Sequence, residues 1–143
     1  MTTKYESDIV AWAAEQARMI RAGELTNLDL QNIAEEIADV GKSEQRELAS
    51  RMAVLLAHLI KWKFQPSLRS RSWEKTIRVQ RNSINRRLMK TPSLRVSLID
   101  TDWQSDAWDD AVAQATSETG LSEFPDACPW DFQQAITSDF MPD

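Results

Sequence analysis

Glycine and proline are scarce, three and five residues in 143, which argues against a turn-rich β architecture. The single cysteine, Cys128, excludes an internal disulfide, and with a single histidine, His58, the chain has no Cys/His zinc set. Long apolar runs are missing too. The longest, residues 52–57, stops at His58, far short of the roughly twenty residues that span a bilayer. The opening MTTKYESDIV has neither the basic nor the apolar region of a secretory signal. A soluble, cytoplasmic protein with no membrane contact, no cofactor and no metal is the expectation. Abundant Ala, Leu, Glu, Gln and Arg favour helix.

A chain of 143 residues has the length of one domain and buries roughly two thirds of its unfolded surface. One helical domain over residues 1–143 is expected. Its net charge of −5 hides a segregated pattern: residues 1–40 carry three basic and eight acidic groups, residues 41–95 fourteen and three, and residues 96–143 none and eleven. Either a basic surface awaits an anionic partner, or acidic elements neutralise basic ones on packing; the second reading is favoured.

Periodicity places a first helix over residues 7–22, where Ile9, Trp12, Ala13, Gln16 and Ile20 share a face and Gly23 stops it. Thr26 or Asn27 caps a second, with Leu30, Ile33, Ala34, Ile37 and Val40 on its stripe, and Gly41 ends or kinks it. A third helix over 43–64 carries Leu48, Met52, Leu55, Leu59 and Trp62 and ends before Pro66. A fourth, over 73–89, buries Trp73, Ile77, Ile84 and Leu88. Thr91-Pro92 starts a fifth, which runs to about residue 118 with Gly120 as its stop. An extended tail through Pro125, Cys128 and Pro129 precedes a short last helix over 130–137. The expected fold is all-α: a bundle of five or six mostly antiparallel helices.

Chemistry could sit where the second and third helices pack. Arg51, His58 and Gln65 fall along the edge of the third helix's apolar stripe, and Glu36 falls at the edge of the second's. As a site, Glu36 and His58 would be acid/base groups, with Arg51 or Arg71 stabilising an anion. As architecture, the same residues form a paired cluster that fixes helix register, because a charge buried alone costs several kcal/mol. The architectural reading is preferred. Arg51 and His58 also resemble the R-x4-6-H pair of the all-α ribonucleases of the HEPN superfamily, which implies metal-independent RNA cleavage with the histidine moving a proton and the arginine holding phosphate. Met52 stands where that family usually has a polar residue.

The corner Arg69-Ser70-Arg71-Ser72-Trp73 continues into Lys75, Arg78, Arg81, Arg86 and Arg87, so Arg69, Arg71, Arg78 and Arg81 are candidate phosphate ligands. These arginines spread around the helix, and Trp62 and Trp73 fall on apolar stripes, so nucleic-acid binding is not favoured. Asp102, Asp106, Asp109 and Asp110 have helical neighbour spacing but lack the Glu-x-x-His partner of carboxylate metal bundles. They are expected to form an exposed face.

Several short motifs follow one another along the chain: Tyr5-Glu6-x-Asp8 with Trp12, Ala34-Glu35-Glu36-Ile37 with Gly41, and His58-Leu59-x-Lys61-Trp62 with Gln65-Pro66. Arg69-Ser70-x-Ser72-Trp73, Thr91-Pro92-Ser93-Leu94, Phe124-Pro125, Cys128-Pro129 and Phe140-Met141-Pro142 follow. Together they resemble the bacterial family known as domain of unknown function twenty-nine, with Ile60 and Phe64 as small departures. The resemblance implies an all-α fold and a prokaryotic, often cyanobacterial, setting; it implies no activity. The expectation is a non-catalytic interaction module or subunit that binds an unidentified protein partner or self-associates. The alternatives are the acid/base enzyme centred on His58 and Arg51, and nucleic-acid binding through residues 69–87.

Overall fold

Side-chain caps set where the helices begin. In the computed structural model, which describes residues 4–143, Asp8 accepts a hydrogen bond from the Ala11 amide (3.1 Å) and starts α1, Ile9–Ala22. Asp29 accepts from the Asn32 amide (3.3 Å) at the start of α2, Leu30–Phe64. Ser70 Oγ accepts from the Trp73 amide (3.2 Å) at the start of α3, Arg71–Lys90. Asp100 accepts from the amides of Asp102 and Trp103 at 2.9 and 3.2 Å and opens α4, Thr101–Thr119. Asp131 accepts from the Gln133 amide (2.7 Å) and opens the short α5, Phe132–Ala135. Each cap satisfies an amide that the first turn leaves without a partner. Gly23 and Gly120, at φ 75° and 76°, supply the left-handed residues that end α1 and α4. The fold is all-α, and no helix among the described residues is long and apolar enough to cross a membrane.

Three boundaries differ from the periodicity. α2 is one 35-residue helix, so Gly41 neither ends nor kinks it. Glycine there lies outside the left-handed region, and its presence weakens a continuing helix by only about 1 kcal/mol. Thr91-Pro92 opens a 3₁₀ segment, Pro92–Ile99, with no side-chain cap from Thr91; the carboxylate of Asp100, able to accept two amides, captures the helix start instead. The last helix is a single turn, Phe132–Ala135, not eight residues.

The chain divides into two compact units, Met1–Ser43 and Glu44–Asp143. The first is a hairpin of α1 and the first turns of α2. Only Trp12, Gln16 and Met19 of α1 are buried. Polar bonds fasten its turn: the Trp12 indole donates to Asp29 Oδ2 (3.0 Å), the Asp29 amide donates to Gln16 Oε1 (2.9 Å), and Asn32 Nδ2 donates to Asp29 Oδ2 (2.8 Å). These donors hold the Asp29 carboxyl below its ordinary pKa, the Asn32 bond contributing most and burial opposing.

The second unit is an up-down-up bundle. Lys61 Nζ near the end of α2 lies 5.3 Å from the Trp73 ring centroid at the start of α3, while Glu44 and Glu47 pair with Arg87 near its end. α3 therefore runs antiparallel to α2. The Trp103 indole donates to the Gln45 carbonyl (3.0 Å) and Glu118 pairs with Lys61, so α4 runs parallel to α2 and antiparallel to α3. Leu48, Met52, Leu55, Leu56 and Leu59 of α2 meet Ile77, Ile84 and Leu88 of α3 and Ala107, Trp108 and Ala111 of α4 in one core. Each fully buried aliphatic side chain there contributes about 1.5–3 kcal/mol.

The C-terminal tail closes the end of this core. Phe132, Ala135 and Ile136 are buried, and Trp130 stacks edge-on to both Trp108 and Phe140. Arg81 fastens the tail: its Nε donates to the Ala135 carbonyl (2.8 Å), Nη1 to Ser138 (3.3 Å) and Nη2 to Phe140. Asn85 adds a bond to the Ile136 carbonyl (3.1 Å). An irregular tail lacks partners for its own carbonyls, and the planar guanidinium, a fork of five donors, satisfies several at once.

Candidate functional site

Amphipathic helices bury an apolar stripe when a neighbour covers it. In the hairpin the stripe stays open. Ile20, Ile37 and Val40 are 47 %, 68 % and 66 % exposed, and with Trp12, Ala17 and Ile33 they line a groove of about 250 Å³. Isolated apolar residues on a surface are ordinary; these line one contiguous groove. Glu36 puts one carboxylate on the lining. Over the hairpin as a whole, residues 4–43 hold four basic and eight acidic groups.

Glu36 is half-buried in this hairpin and accepts a hydrogen bond from the Tyr5 hydroxyl. That bond, with burial and the nearby Asp39 and Glu35 carboxylates, pushes the Tyr5 phenol up to about 12. Tyr5 itself stands edge-on to Trp12, 4.8 Å between ring centroids. Glu36 thus braces the N-terminal segment against the hairpin.

In the second unit, His58 is half-buried and its Nδ1 lies 2.9 Å from the Val54 carbonyl one turn back on α2. A proton on Nδ1 makes that bond and leaves Nε2 as the basic nitrogen. Burial holds the His58 pKa below its ordinary value, and the Lys61 ammonium adds to this against the opposing Val54 bond and Glu118 charge. Arg51 lies 3.1 Å from Glu47 one turn earlier. Arg71 is exposed at the first residue of α3. Among the described residues no hydrogen bond or ion pair joins Arg51, His58 and Arg71 to one another.

The basic corner divides by role. Arg69 donates through Nε to the Trp62 carbonyl (2.8 Å) and lies over the Trp62 ring, 4.9 Å from its centroid. It seals the end of α2. Arg81 is occupied by the tail carbonyls, whereas Arg78 is exposed. The Lys61–Glu118 pair is the one ion pair among the described residues that joins the basic stretch to the acidic one.

Asp102, Asp106, Asp109 and Asp110 are exposed, and no group of three or more His, Cys, Asp or Glu side chains among the described residues could hold a metal ion. Cys128 is half-buried; its thiol donates to the Trp130 carbonyl (3.2 Å), and burial pushes it up to about 11. Such a thiol stays protonated and unreactive near neutral pH.

Sequence reasoning missed the groove because it assigned both hairpin stripes to a core. It missed the Trp12–Asp29–Gln16 latch because that contact joins residues 13 and 17 positions apart across a turn. The only signal was Asp29 directly before a helical stripe, an N-cap position that went to Thr26 or Asn27 instead. No curated protein and no solved structure matches the chain. The family comparison agrees with the motifs and the helical architecture over almost the whole length: residues 4–141 match the family described as Domain of unknown function DUF29, and the chain belongs to it.

Proposed function

We propose that this protein is a non-catalytic interaction module that docks a partner on the apolar groove of its N-terminal hairpin. One observation carries the reading: Ile37 and Val40 stand about two thirds exposed beside Ile20 on a continuous groove, although their helical spacing is that of a buried stripe. Leaving this surface in water forgoes roughly 25 cal/mol per Å² of stabilisation, which a docked helix recovers. The Glu36 carboxylate on the lining and the hairpin's excess of acidic over basic groups select the partner's chemistry. A helix with an aliphatic stripe flanked by lysine and arginine matches both the groove and its charge.

The acid/base alternative has less behind it. His58 uses one ring nitrogen on its own helix, and no carboxylate among the described residues hydrogen-bonds to the ring. Nucleic-acid binding through residues 69–87 loses two of its four arginines to structural contacts, Arg69 to Trp62 and Arg81 to the tail.

The test uses fluorescence anisotropy of two labelled amphipathic helices, one of Leu and Lys and one of Leu and Glu, with sedimentation velocity run alongside. The basic helix is expected to bind, and Ile37→Glu or Val40→Glu to weaken it at least about tenfold. Equal binding of the two helices, or binding indifferent to both substitutions, rejects the assignment. Self-association abolished by Ile37→Glu would keep the groove as an interface and replace the partner by a second copy.

A further inference from the structure

At the foot of the bundle, α2 and the end of α3 enclose a second cavity, of about 510 Å³. Its lining is polar. Arg51 reaches it from α2, and Arg86, Arg87 and Lys90 from the last turns of α3. Placing Arg87 and Lys90 at a helix C-terminus complements the macrodipole, but that effect does not account for Arg51, which comes from another helix, or for what these groups leave unbonded.

Arg87 is spoken for, paired to Glu44 at 3.5 Å and to Glu47 at 3.4 Å. Arg51 has Glu47 alone, and Arg86 and Lys90 have neither carboxylate. Arg51 Nε lies 3.1 Å from Glu47, yet its N–H is not directed at that oxygen, so a buried donor has no hydrogen-bond partner. Arg86 and Lys90 make no ion pair among the described residues. Four cations against the two carboxylates Glu44 and Glu47 leave two positive charges uncompensated around one cavity. Ser83, only 9 % exposed, and Thr91 add hydroxyls that hydrogen-bond to no described residue. The buried Arg51 Nε without a hydrogen-bond partner, the two hydroxyls and the unpaired Arg86 and Lys90 form a set of donors that outnumbers the one carboxylate, Glu44, on the lining.

We propose that this cavity binds the phosphate chain of a small di- or triphosphate. With Glu44 already engaged by Arg87, the ligand supplies further anionic acceptor oxygens, arranged closely enough to accept from two guanidinium groups, an ammonium and two hydroxyls. The volume lies within the range of small-ligand sites. No aromatic side chain lines it, so a nucleobase finds no stacking surface, and the site reads the phosphates irrespective of what they are attached to. The residues differ from those of the hairpin groove, and the inference is independent of partner docking.

Isothermal titration of the full chain with inorganic pyrophosphate at low salt tests it, alongside adenosine and cytidine diphosphates and a single-stranded RNA. One site per chain is expected, with similar affinity for pyrophosphate and both nucleotides, weakening as salt rises. Arg86→Ala and Lys90→Ala, both at exposed positions that fold without them, should each lower affinity about tenfold or more. Arg51→Met should do so too. Arg78→Ala, exposed on α3 outside the lining, should leave it unchanged. Absence of binding, or equal loss in Arg78→Ala and Arg86→Ala, overturns the site. RNA binding tighter than pyrophosphate, or more than tenfold preference for one nucleoside, overturns the claim that the pocket reads a short phosphate chain alone.

Discussion

The two units carry the same kind of amphipathic pattern and put it to opposite use. In the second unit the stripe Leu48, Met52, Leu55 and Leu59 is fully buried; in the first, Ile33 is half-buried while Ile37 and Val40, on the same helix, stand open. α3, α4 and the tail close one core. The hairpin has two helices, and two helices can cover only part of each other's apolar face. It relies correspondingly on directional bonds around Asp29, whereas the bundle relies on packing, with polar groups such as Arg81 reserved for its irregular tail. Hydrogen bonds specify geometry at a net stabilisation of about 1 kcal/mol each, so a unit built on them keeps its shape with its apolar surface still available.

Substitutions that discriminate packing from latching sharpen this contrast. Leu55→Ala, at a position with no exposure, should destabilise the bundle by about 2–5 kcal/mol in urea unfolding; a loss below about 1 kcal/mol would mean that the core is not packed as described. Arg81→Met should cost about 2–4 kcal/mol, since it strands the carbonyls of Ala135, Ser138 and Phe140. Hydrogen exchange should then rise over residues 132–142 first.

Asp29→Ala should act on the hairpin alone. Amides of α1 are expected to exchange faster while those of residues 52–60 keep their protection. The carboxyl is held below its ordinary pKa, so its contribution is present above the unfolded carboxylate pKa and disappears as pH falls through the lower folded value. Exchange in α1 of the wild-type chain should show that acid-side loss, and Asp29→Ala should not.

His58 gives the bundle a pH dependence of its own. Its folded pKa lies below the ordinary 6.5, so the unfolded chain binds the proton more readily, and the contribution present above 6.5 is lost as pH falls toward the folded value. His58→Gln should flatten the stability profile between neutral and mildly acid pH. A profile unchanged by the substitution would show that the ring titrates as it does in the unfolded chain.

The smallest effect tests the continuity of α2. A Cβ at Gly41 meets nothing within 4 Å, and the residue has no positive φ. Gly41→Ala should therefore stabilise by about 0.5–1 kcal/mol. Destabilisation would restore the helix end expected there.

Much of the helical layout was legible from local chemistry. Gly23 and Gly120 stop helices as expected, Pro66 follows the end of α2, and Leu48 through Leu59 bury as their spacing demands. The errors fell where two local signals competed. Gly41 carried a stop signal that a continuing helix overrode at small cost, and Thr91-Pro92 lost the helix start to the stronger acceptor at Asp100. The candidate residues were only partly legible, and with α2 one continuous helix no seam between a second and a third helix exists to bring Glu36 to Arg51 or His58. Edge positions for Glu36, Arg51 and His58 were apparent from the helical period, and all three are half-buried. Their partners, Tyr5, Glu47 and the Val54 carbonyl, were not apparent, because a period locates a face without naming what lies opposite it.

By itself, then, the sequence determined the all-α class, most helix limits and the family, because caps, stops, periodicity and motif order are properties of neighbours along the chain. Only the tertiary structure decided which stripes are covered, which arginines are consumed by carbonyls, and which cations gather unpaired around a cavity. Those outcomes depend on contacts such as Arg81 with Phe140 and the convergence of Arg51 with Lys90. Residues far apart in sequence meet there through the packing of whole helices, and no local pattern encodes the pairing.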